Sequence, residues 1–315
     1  MGFFASLINS MPSAVAQGLI WGIMAIGVYL TYRILDVADL TVDGSLGTGG
    51  AVCVVMVLNG VPVGLALLAA TAAGMLAGLV TGLFHTACGI PAILAGILTQ
   101  LALYSVNLRI MGTGTGGGKA NLPISVDKYS LLVSARYVRN AALNNPILIL
   151  VIFCAVLIAV LYWFFGTELG CSLRATGANQ NMARAQGINT NVTKVLGLMI
   201  SNGLVALAGG LLAQYQGFSD INMGRGAIVI GLAAVIIGEV IFSRIFRNFA
   251  LKLLSAVIGA IIYYIVMVFV LRLGLSTDDL KLLTALVVAL FLTIPYWKGK
   301  YFTKTSVKKG EKNHA

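Results

Sequence analysis

The run PILILVIFCAVLIAVLYWFFG, residues 146–166, contains no charged side chain. About 18 or more consecutive apolar residues are enough to cross the hydrocarbon core of a bilayer as a helix. A helix also satisfies its own backbone hydrogen bonds, which a segment in lipid must do. This stretch therefore predicts a transmembrane helix and sets the class of fold for the rest of the chain.

The remainder of the sequence has the same character. Of its 315 residues, 59% are hydrophobic and only 10% are charged, and the mean hydropathy is +0.95. A soluble protein needs far more polar side chains to cover its surface. We therefore predict an all-α, polytopic membrane protein with about nine (eight to ten) transmembrane segments. The segments are expected at residues 14–32, 44–59, 62–84, 91–111, 146–166, 194–214, 226–243, 250–272 and 280–297.

The distribution of basic residues predicts the orientation. Six lysines lie in residues 298–315, just after the last apolar run. The positive-inside rule places such a tail in the cytoplasm, so the net charge of +11 does not indicate nucleic-acid binding. Counting spans back from the tail makes residues 167–193 cytoplasmic and residues 112–145 extracellular. The chain then consists of a transmembrane domain, 1–297, and a basic cytoplasmic tail, and its N-terminus has no signal-peptide pattern.

An internal inverted repeat is a further expectation. Four segments precede a central one and four follow it, so the two groups would cross the membrane in opposite directions. The pattern Asp-x-x-x-Gly-x-Gly opens the second segment at Asp43 and the seventh at Asp220. The second segment is short and rich in glycine, which indicates a broken or tilted span.

Catalytic and metal-binding patterns are missing from the sequence. His85 and His314 have no nucleophile or ligand partner nearby, and the four cysteines are dispersed without metal-ligand spacing. The run GTGTGGGKA, 112–120, has Thr113 and Ala120 where a phosphate-binding loop requires glycine and Ser or Thr. We therefore expect no enzymatic activity, no bound metal and no cofactor in this chain.

Charged residues within the apolar segments are scarce, and this bears on the energy source. Glu239 lies close to Arg244 at the end of its segment, and no series of acidic and basic residues crosses the core. Ion-coupled carriers normally need such groups. The energy for any transport would then come from another protein.

Polar residues within the spans are candidates for a transport pathway. Asp43, Gly44 and Ser45 are expected at a helix break near it. Ser201, Asn202 and Gln214 lie along the sixth segment, where they either line a polar path or bond between helices. Glycines at 74, 78 and 82 have the spacing that allows a neighbouring helix to approach closely.

The polar stretch GCSLRATGANQNMARAQGIN, residues 170–189, interrupts this apolar chain. Asn179 suits the N-cap of a helix, QNMARAQ is long enough for about two turns, and Gly187 suits the position after its end. A short polar helix between glycines on the cytoplasmic face is a docking element for another protein. The alternative is an ordinary solvated loop.

This stretch closely resembles the cytoplasmic loop of permeases from the branched-chain amino acid and ribose family of ATP-binding cassette (ABC) importers. Residues 194–210, 226–239 and 40–52 also resemble segments of that family, the last being similar to a branch with a single permease gene. In the family this loop forms a coupling helix on the ATPase. The positions that match its pattern are Ala175, Gly177, Asn179, Ala183, Arg184, Gly187 and Ile188.

The resemblance implies a type II-importer-like fold in a bacterial cell membrane. A cytoplasmic ATPase would bind ATP, an extracellular or periplasmic binding protein would deliver the solute, and a second copy would complete the pathway, because the chain contains no second membrane half. In this interpretation Arg184 makes a charge-assisted contact with the ATPase, while Ala183 and Gly187 allow close approach. The expected solute is small and polar, most simply an amino acid. The alternative is a secondary carrier or facilitator without an ATPase.

Overall fold

The computed structural model describes residues 3–113, 117–125, 128–138, 145–242, 245–246, 248–272 and most of 282–293. The predicted tail and much of the ninth segment lie outside the described residues. The chain is built from helices, which confirms the all-α prediction. Their bounds are α1 Phe3–Tyr29, α2 Val42–Leu58, α3 Val63–Thr86, α4 Ala92–Met111, α5 Pro146–Gly166, α6 Glu168–Ala178, α7 Gln180–Ala185, α8 Thr190–Gln216, α9 Ala227–Phe242 and α10 Phe249–Arg272.

Six of the described helices are long and apolar enough to cross a membrane. They are α1 with the π-helical turn that follows it, α3, α4, α5, α8 and α10. The predicted count of about nine is not confirmed, because α2 and α9 have only 17 and 16 residues and much of the ninth segment lies outside the described residues. At 1.5 Å per residue these helices are about 25 Å long, which is less than the roughly 30 Å of a hydrocarbon core.

The connection 35–41 explains why α2 is short. The π-turn Leu30–Ile34 ends α1, and Asp36 then adopts a left-handed conformation with φ of 55°, which stops the helix. The chain returns along α8, and the carboxylate of Asp39 reaches Asn202 near the middle of that helix. The residues that precede α2 are therefore non-helical, and α2 itself runs unbroken from Val42. Asp43, Gly44 and Ser45, which were predicted at a helix break, lie in the first turn of α2, and the non-helical residues precede them.

The helices α1 and α8 form the centre of the protein. Of their membrane-spanning windows, 89% and 72% of the residues are buried, against 22% in α5. Gly74, Gly78 and Gly82 on α3 lie directly against the α8 backbone between Val195 and Ala206, where a Cβ atom would overlap it. The close approach predicted from their spacing is confirmed.

The packing partners repeat across the two halves of the chain. Helix α1 packs on α10 as α8 packs on α3, and of the two short helices α2 packs on α8 while α9 packs on α1. This exchange of partners supports an internal repeat. The Asp-x-x-x-Gly-x-Gly echo is not part of it, because Asp43 and Gly47 lie within α2, whereas Asp220 and Gly224 precede α9.

The ends of the helices form two separate groups. At one end, which we call the α7 end, Arg33 pairs with Glu239 and Lys194 contacts His85. Glu239 therefore pairs with α1, and Arg244 lies outside the described residues. At the other end, the β end, strand β1 (Asn121–Pro123) pairs antiparallel with β2 (Phe218–Asp220). The two ends of the protein are thus distinct, and which of them faces the cytoplasm stays a prediction.

Candidate functional site

The helix α7 begins at the predicted cap. The Asn179 side chain accepts hydrogen bonds from the backbone N–H groups of Asn181 (3.0 Å) and Met182 (3.1 Å). These are two of the four donors that the first turn of a helix cannot satisfy internally. Asn179 also ends α6, so one residue separates the two helices.

The end of α7 is equally well defined. Gly187 has φ of 82°, its N–H donates to the Arg184 carbonyl, and the N–H of Ile188 donates to the Ala183 carbonyl. This pair of bonds is the Schellman motif, which terminates helices at a glycine. The caps predicted from the sequence at both ends of this helix are confirmed, and they stabilise a helix of only six residues.

The matching positions divide into two groups according to exposure. Asn179, Arg184 and Gly187 are exposed at the α7 end, while Ala175 and Ile188 are half-buried. Ala183 is fully buried, and a Cβ on Gly177 would overlap the carbonyl of Ile34. The small residues at 177 and 183 therefore allow close packing within this chain. Because Ala183 is buried in this chain, it does not provide the predicted close approach to another protein.

Two side-chain hydrogen bonds, both involving threonine hydroxyls, connect α7 and α6 with the start of α8. The Arg184 Nε donates to the Thr190 hydroxyl at 2.8 Å, and the hydroxyls of Thr176 and Thr193 lie 2.8 Å apart. Gly177, on α6, lies against the π-turn that ends α1, so α7 contacts α8 directly and is linked to the end of α1 through α6. Arg184 is thus more than a surface residue.

Met182 is a candidate contact residue that the sequence interpretation missed. Its side chain is 52% exposed on α7, although methionine is usually buried. Because Ala183 faces inward on a two-turn helix, the preceding residue must face outward. A methionine on such a face is flexible and apolar, which suits a contact with another protein.

A second candidate site lies where α2 and α9 meet. The carboxylate of Asp43 accepts hydrogen bonds at 2.9 Å from the backbone N–H groups of Gly226 and Ile228, at the start of α9. A carboxylate is favoured there by the dipole of the helix. Asp43 therefore caps a helix in the other half of the chain, which its position in the sequence does not reveal.

A cavity of about 400 Å³ opens beside this contact. Asp43 and Gly44 line it from α2, and Arg225 lines it from the approach to α9. Gln100, Tyr104 and Asn107 line it from α4 at spacings of four and three residues, which place them on one helix face. That periodic polar face was the signal that sequence reasoning overlooked.

Asn107 has an unusual position in this cavity. Its side chain is only 2% exposed, and its Nδ2 donates weakly, at 3.4 Å, to the Gly44 carbonyl. Its Oδ1 is buried and has no hydrogen-bond partner among the residues that the structure describes. Because leaving a buried polar atom unpaired is costly, such atoms in native proteins indicate an additional partner.

The other predicted pathway residues bond between helices. Ser45 donates to Asn202 (2.6 Å), which in turn donates to Asp39 (2.6 Å). Ser201 donates to the Gly27 carbonyl, and Gln214 accepts from the Leu132 N–H. All these side chains except that of Leu132 are at most 2% exposed, so their polar atoms are engaged within the chain. The sequence interpretation did not single out Asp39 and did not identify this network.

The comparison with known proteins identifies the class of protein. The family described as "Branched-chain amino acid transport system / permease component" matches residues 10–294. The chain is 41% identical to the tyrosine transport system permease protein of Clostridioides difficile (strain R20291) over 90% of each protein. It is 28% identical to the ribose import permease protein of Escherichia coli (strain K12) over 73% of this chain and 69% of that protein.

A solved structure has the same fold. A chain of PsaBC from Streptococcus pneumoniae in complex with Fab superposes with a TM-score of 0.52 over 95% of this chain and 98% of its own. The two sequences are 16% identical, so this likeness concerns the fold alone. The resemblance seen in residues 170–189 is confirmed by the family match. The chain therefore belongs to the branched-chain amino acid transport permease family: it is a multi-pass inner-membrane component of a bacterial ABC importer for small solutes, a system that also requires an ATPase and a binding protein.

Proposed function

We propose that this protein forms the import pathway for tyrosine or a closely related amino acid. The observation that carries the proposal is the 41% identity, over 90% of both chains, to a protein named as a tyrosine transport permease. The cavity beside Asp43, at about 400 Å³, falls within the usual range of small-molecule pockets. Its polar groups suit a solute that carries both charges.

The proposed contacts follow from the chemistry of the lining. Arg225 is a permanent cation and suits the carboxylate of an amino acid, with which it can form paired hydrogen bonds. The unpartnered Oδ1 of Asn107 is an acceptor and suits the ammonium group. Asp43 adds negative charge but holds the start of α9 through the same carboxylate. Ser45, Ser201, Asn202 and Gln214 are assigned to keeping the surrounding helices in place.

We further propose that α7 is the coupling helix and docks on the ATPase. The caps at its two ends hold this short helix in one conformation, so that it can transmit a movement of the ATPase. Met182 and Arg184 are the exposed side chains that would contact the ATPase. The force would pass through Thr190 and Gly177 to α8 and α1. ATP binding and hydrolysis belong to the ATPase in this scheme, and the present chain carries no catalytic step.

The proposed assembly contains two copies of this chain, with the α7 end in the cytoplasm. Helices α3, α4 and α5 each leave most of their residues unburied in a single chain. The unburied surface of these three helices is large enough to include both a lipid-facing region and an interface with a second copy. Co-purification of two differently tagged copies from one cell tests the homodimer, and recovery of only one tag would contradict it.

Reconstitution tests the function directly. The protein is placed in liposomes with its ATPase and binding protein, and uptake of labelled tyrosine is measured. We expect uptake with ATP and none with a non-hydrolysable analogue. Uptake driven by an ion gradient without ATP would support a secondary carrier instead. ATP-driven uptake of ribose but not of any amino acid would retain the importer and overturn the proposed substrate.

A further inference from the structure

A basic cavity of about 570 Å³ lies at the α7 end, between α1, α6 and α10. Three cationic side chains line it, one from each helix: Arg33, Arg174 and Lys252. The cavity is separate from the proposed pathway cavity, with which it shares no residue. It is not explained by the transport of a solute.

The cavity carries more positive than negative charge. Arg33 pairs with Glu239 at 2.9 Å. In the part of the chain that the structure describes, neither Arg174 nor Lys252 has a carboxylate within ion-pair distance. The Arg174 guanidinium instead lies over the ring of Phe249, 5.5 Å from its centre, which holds it at the edge of the cavity. Two cations thus remain available to an anion.

An apolar groove adjoins the basic cavity. This groove, of about 450 Å³, shares Arg174 and Phe249 with it and is also lined by Tyr162, Trp163 and Phe165. The Trp163 side chain is 72% exposed at the end of α5, which is the most hydropathic and least buried of the six candidate spans in the described residues. Exposed Trp and Tyr at a helix end are typical of the boundary between lipid and water.

We propose that the cavity and the groove together bind an anionic membrane phospholipid. The phosphate occupies the basic cavity near Arg174 and Lys252, and the glycerol and first acyl carbons lie against Trp163 and Tyr162. Basic pockets between transmembrane helices on the cytoplasmic side recognise anionic headgroups in this way. A free phosphate would use only the basic half, so the adjoining groove favours a lipid.

The position of this lipid gives it a structural effect on coupling. Arg174 lies on α6, which ends at Asn179, where α7 begins. A bound phosphate bridges α6 to α10 and so holds the base of α7 against the membrane domain. The amount of anionic lipid in the bilayer then sets how firmly α7 is supported. The lipid site itself does not depend on which solute is transported.

Native mass spectrometry of the full-length protein tests the site. The purified protein is titrated with phosphatidylglycerol and with phosphatidylcholine of identical acyl chains. We expect a preference of at least tenfold for phosphatidylglycerol. Each of Lys252→Gln and Arg174→Gln should weaken that binding by about fivefold, as expected for one cation near an anionic surface. The double variant Arg109→Gln/Lys128→Gln removes two exposed cations elsewhere and should bind normally.

Two further experiments distinguish a bound phospholipid from bound inorganic phosphate. Trp163→Ala should weaken phosphatidylglycerol binding, and millimolar inorganic phosphate should not displace the lipid. Unchanged binding in Lys252→Gln, whose stacking pair Arg174–Phe249 stays intact, would overturn the proposal. So would full displacement by inorganic phosphate with no effect of Trp163→Ala. If the complex with the ATPase retains no lipid, the cavity is instead part of the ATPase interface, and the proposal is wrong.

Discussion

The carboxylate of Asp43, on α2, accepts a hydrogen bond at 2.9 Å from the backbone N–H of Ile228, in the first turn of α9. The two residues are 185 positions apart in the chain. Each lies at the start of a helix too short to cross the membrane. The contact therefore joins the two short helices, α2 and α9, beside the proposed pathway cavity.

Removing this contact should destabilise the protein. Asp43→Ala leaves the first N–H groups of α9 without an acceptor, and we expect a loss of about 1–2 kcal/mol, as for other helix caps. Asp43→Asn retains one oxygen and should lose less. Thermal unfolding in detergent measures both. Glu168→Ala removes an exposed carboxylate from the first turn of α6 and should change stability little; equal losses in both alanine variants would contradict the assignment.

The docking surface can be tested at Met182, whose side chain is largely exposed. Met182→Glu places a charge on the exposed face of α7, where burial in an interface would be costly. We expect loss of ATPase co-purification with unchanged thermal stability. The matched control is Leu132→Glu, an exposed leucine at the β end, which should retain the ATPase. If the ATPase co-purifies with both variants, α7 is not the docking helix.

Thr190 separates binding of the ATPase from transmission. Thr190→Val keeps the shape of the side chain but removes the acceptor for Arg184. Because the exposed surface of α7 is unchanged, the ATPase should still bind and hydrolyse ATP. We expect less tyrosine imported per ATP, by about twofold to tenfold if the bond is worth 0.5–1.5 kcal/mol. An unchanged ratio would mean that the force takes another route.

The sequence was sufficient to predict the features that depend on local chemistry. The apolar runs predicted the helices, Asn179 and Gly187 predicted both ends of α7, and the glycines from 74 to 82 predicted the approach of α3 to α8. These features need only neighbouring residues and helix geometry.

The features that depend on distant contacts could not be predicted in the same way. The connection 35–41 has acids at 36 and 39, which local chemistry alone would place in a solvated loop, whereas Asp39 is buried against Asn202. Likewise, the family pattern shows that position 183 matches a small residue, but it does not show whether the small size is needed for packing in this chain or for contact with a partner. Only the structure, in which Ala183 faces inward, distinguishes the two.

The unpartnered amide oxygen in the pathway cavity gives a test of solute contact. Asn107→Leu fills the same space without an acceptor, and we expect tyrosine uptake to fall by about tenfold or more if a hydrogen bond to a charged group of 1.5–3 kcal/mol is lost. ATP hydrolysis stimulated by the binding protein should persist. Ser105→Leu, on the exposed side of α4, is the control. Equal uptake by the wild type and Asn107→Leu would remove this residue from the pathway.

The orientation can be checked by labelling cysteines in intact cells. Cys88 and Cys171 are exposed and must first be replaced by serine. A membrane-impermeant maleimide should then label Lys119→Cys, at the β end, but not Lys308→Cys in the tail. The reverse pattern would place the α7 end outside the cell and exclude it as the docking side.

The bond between Asp39 and Asn202 has a consequence for how the protein is made. Its two residues are 163 positions apart, so at 5–20 residues per second the ribosome needs roughly 10–30 s after Asp39 to supply its partner. Until α8 enters the membrane, this carboxylate lacks the Asn202 amide and has only the local bond from the Thr41 N–H. The helices that precede α8 therefore stay incompletely packed until it arrives, and a chain truncated before α8 would leave this acid without its amide partner.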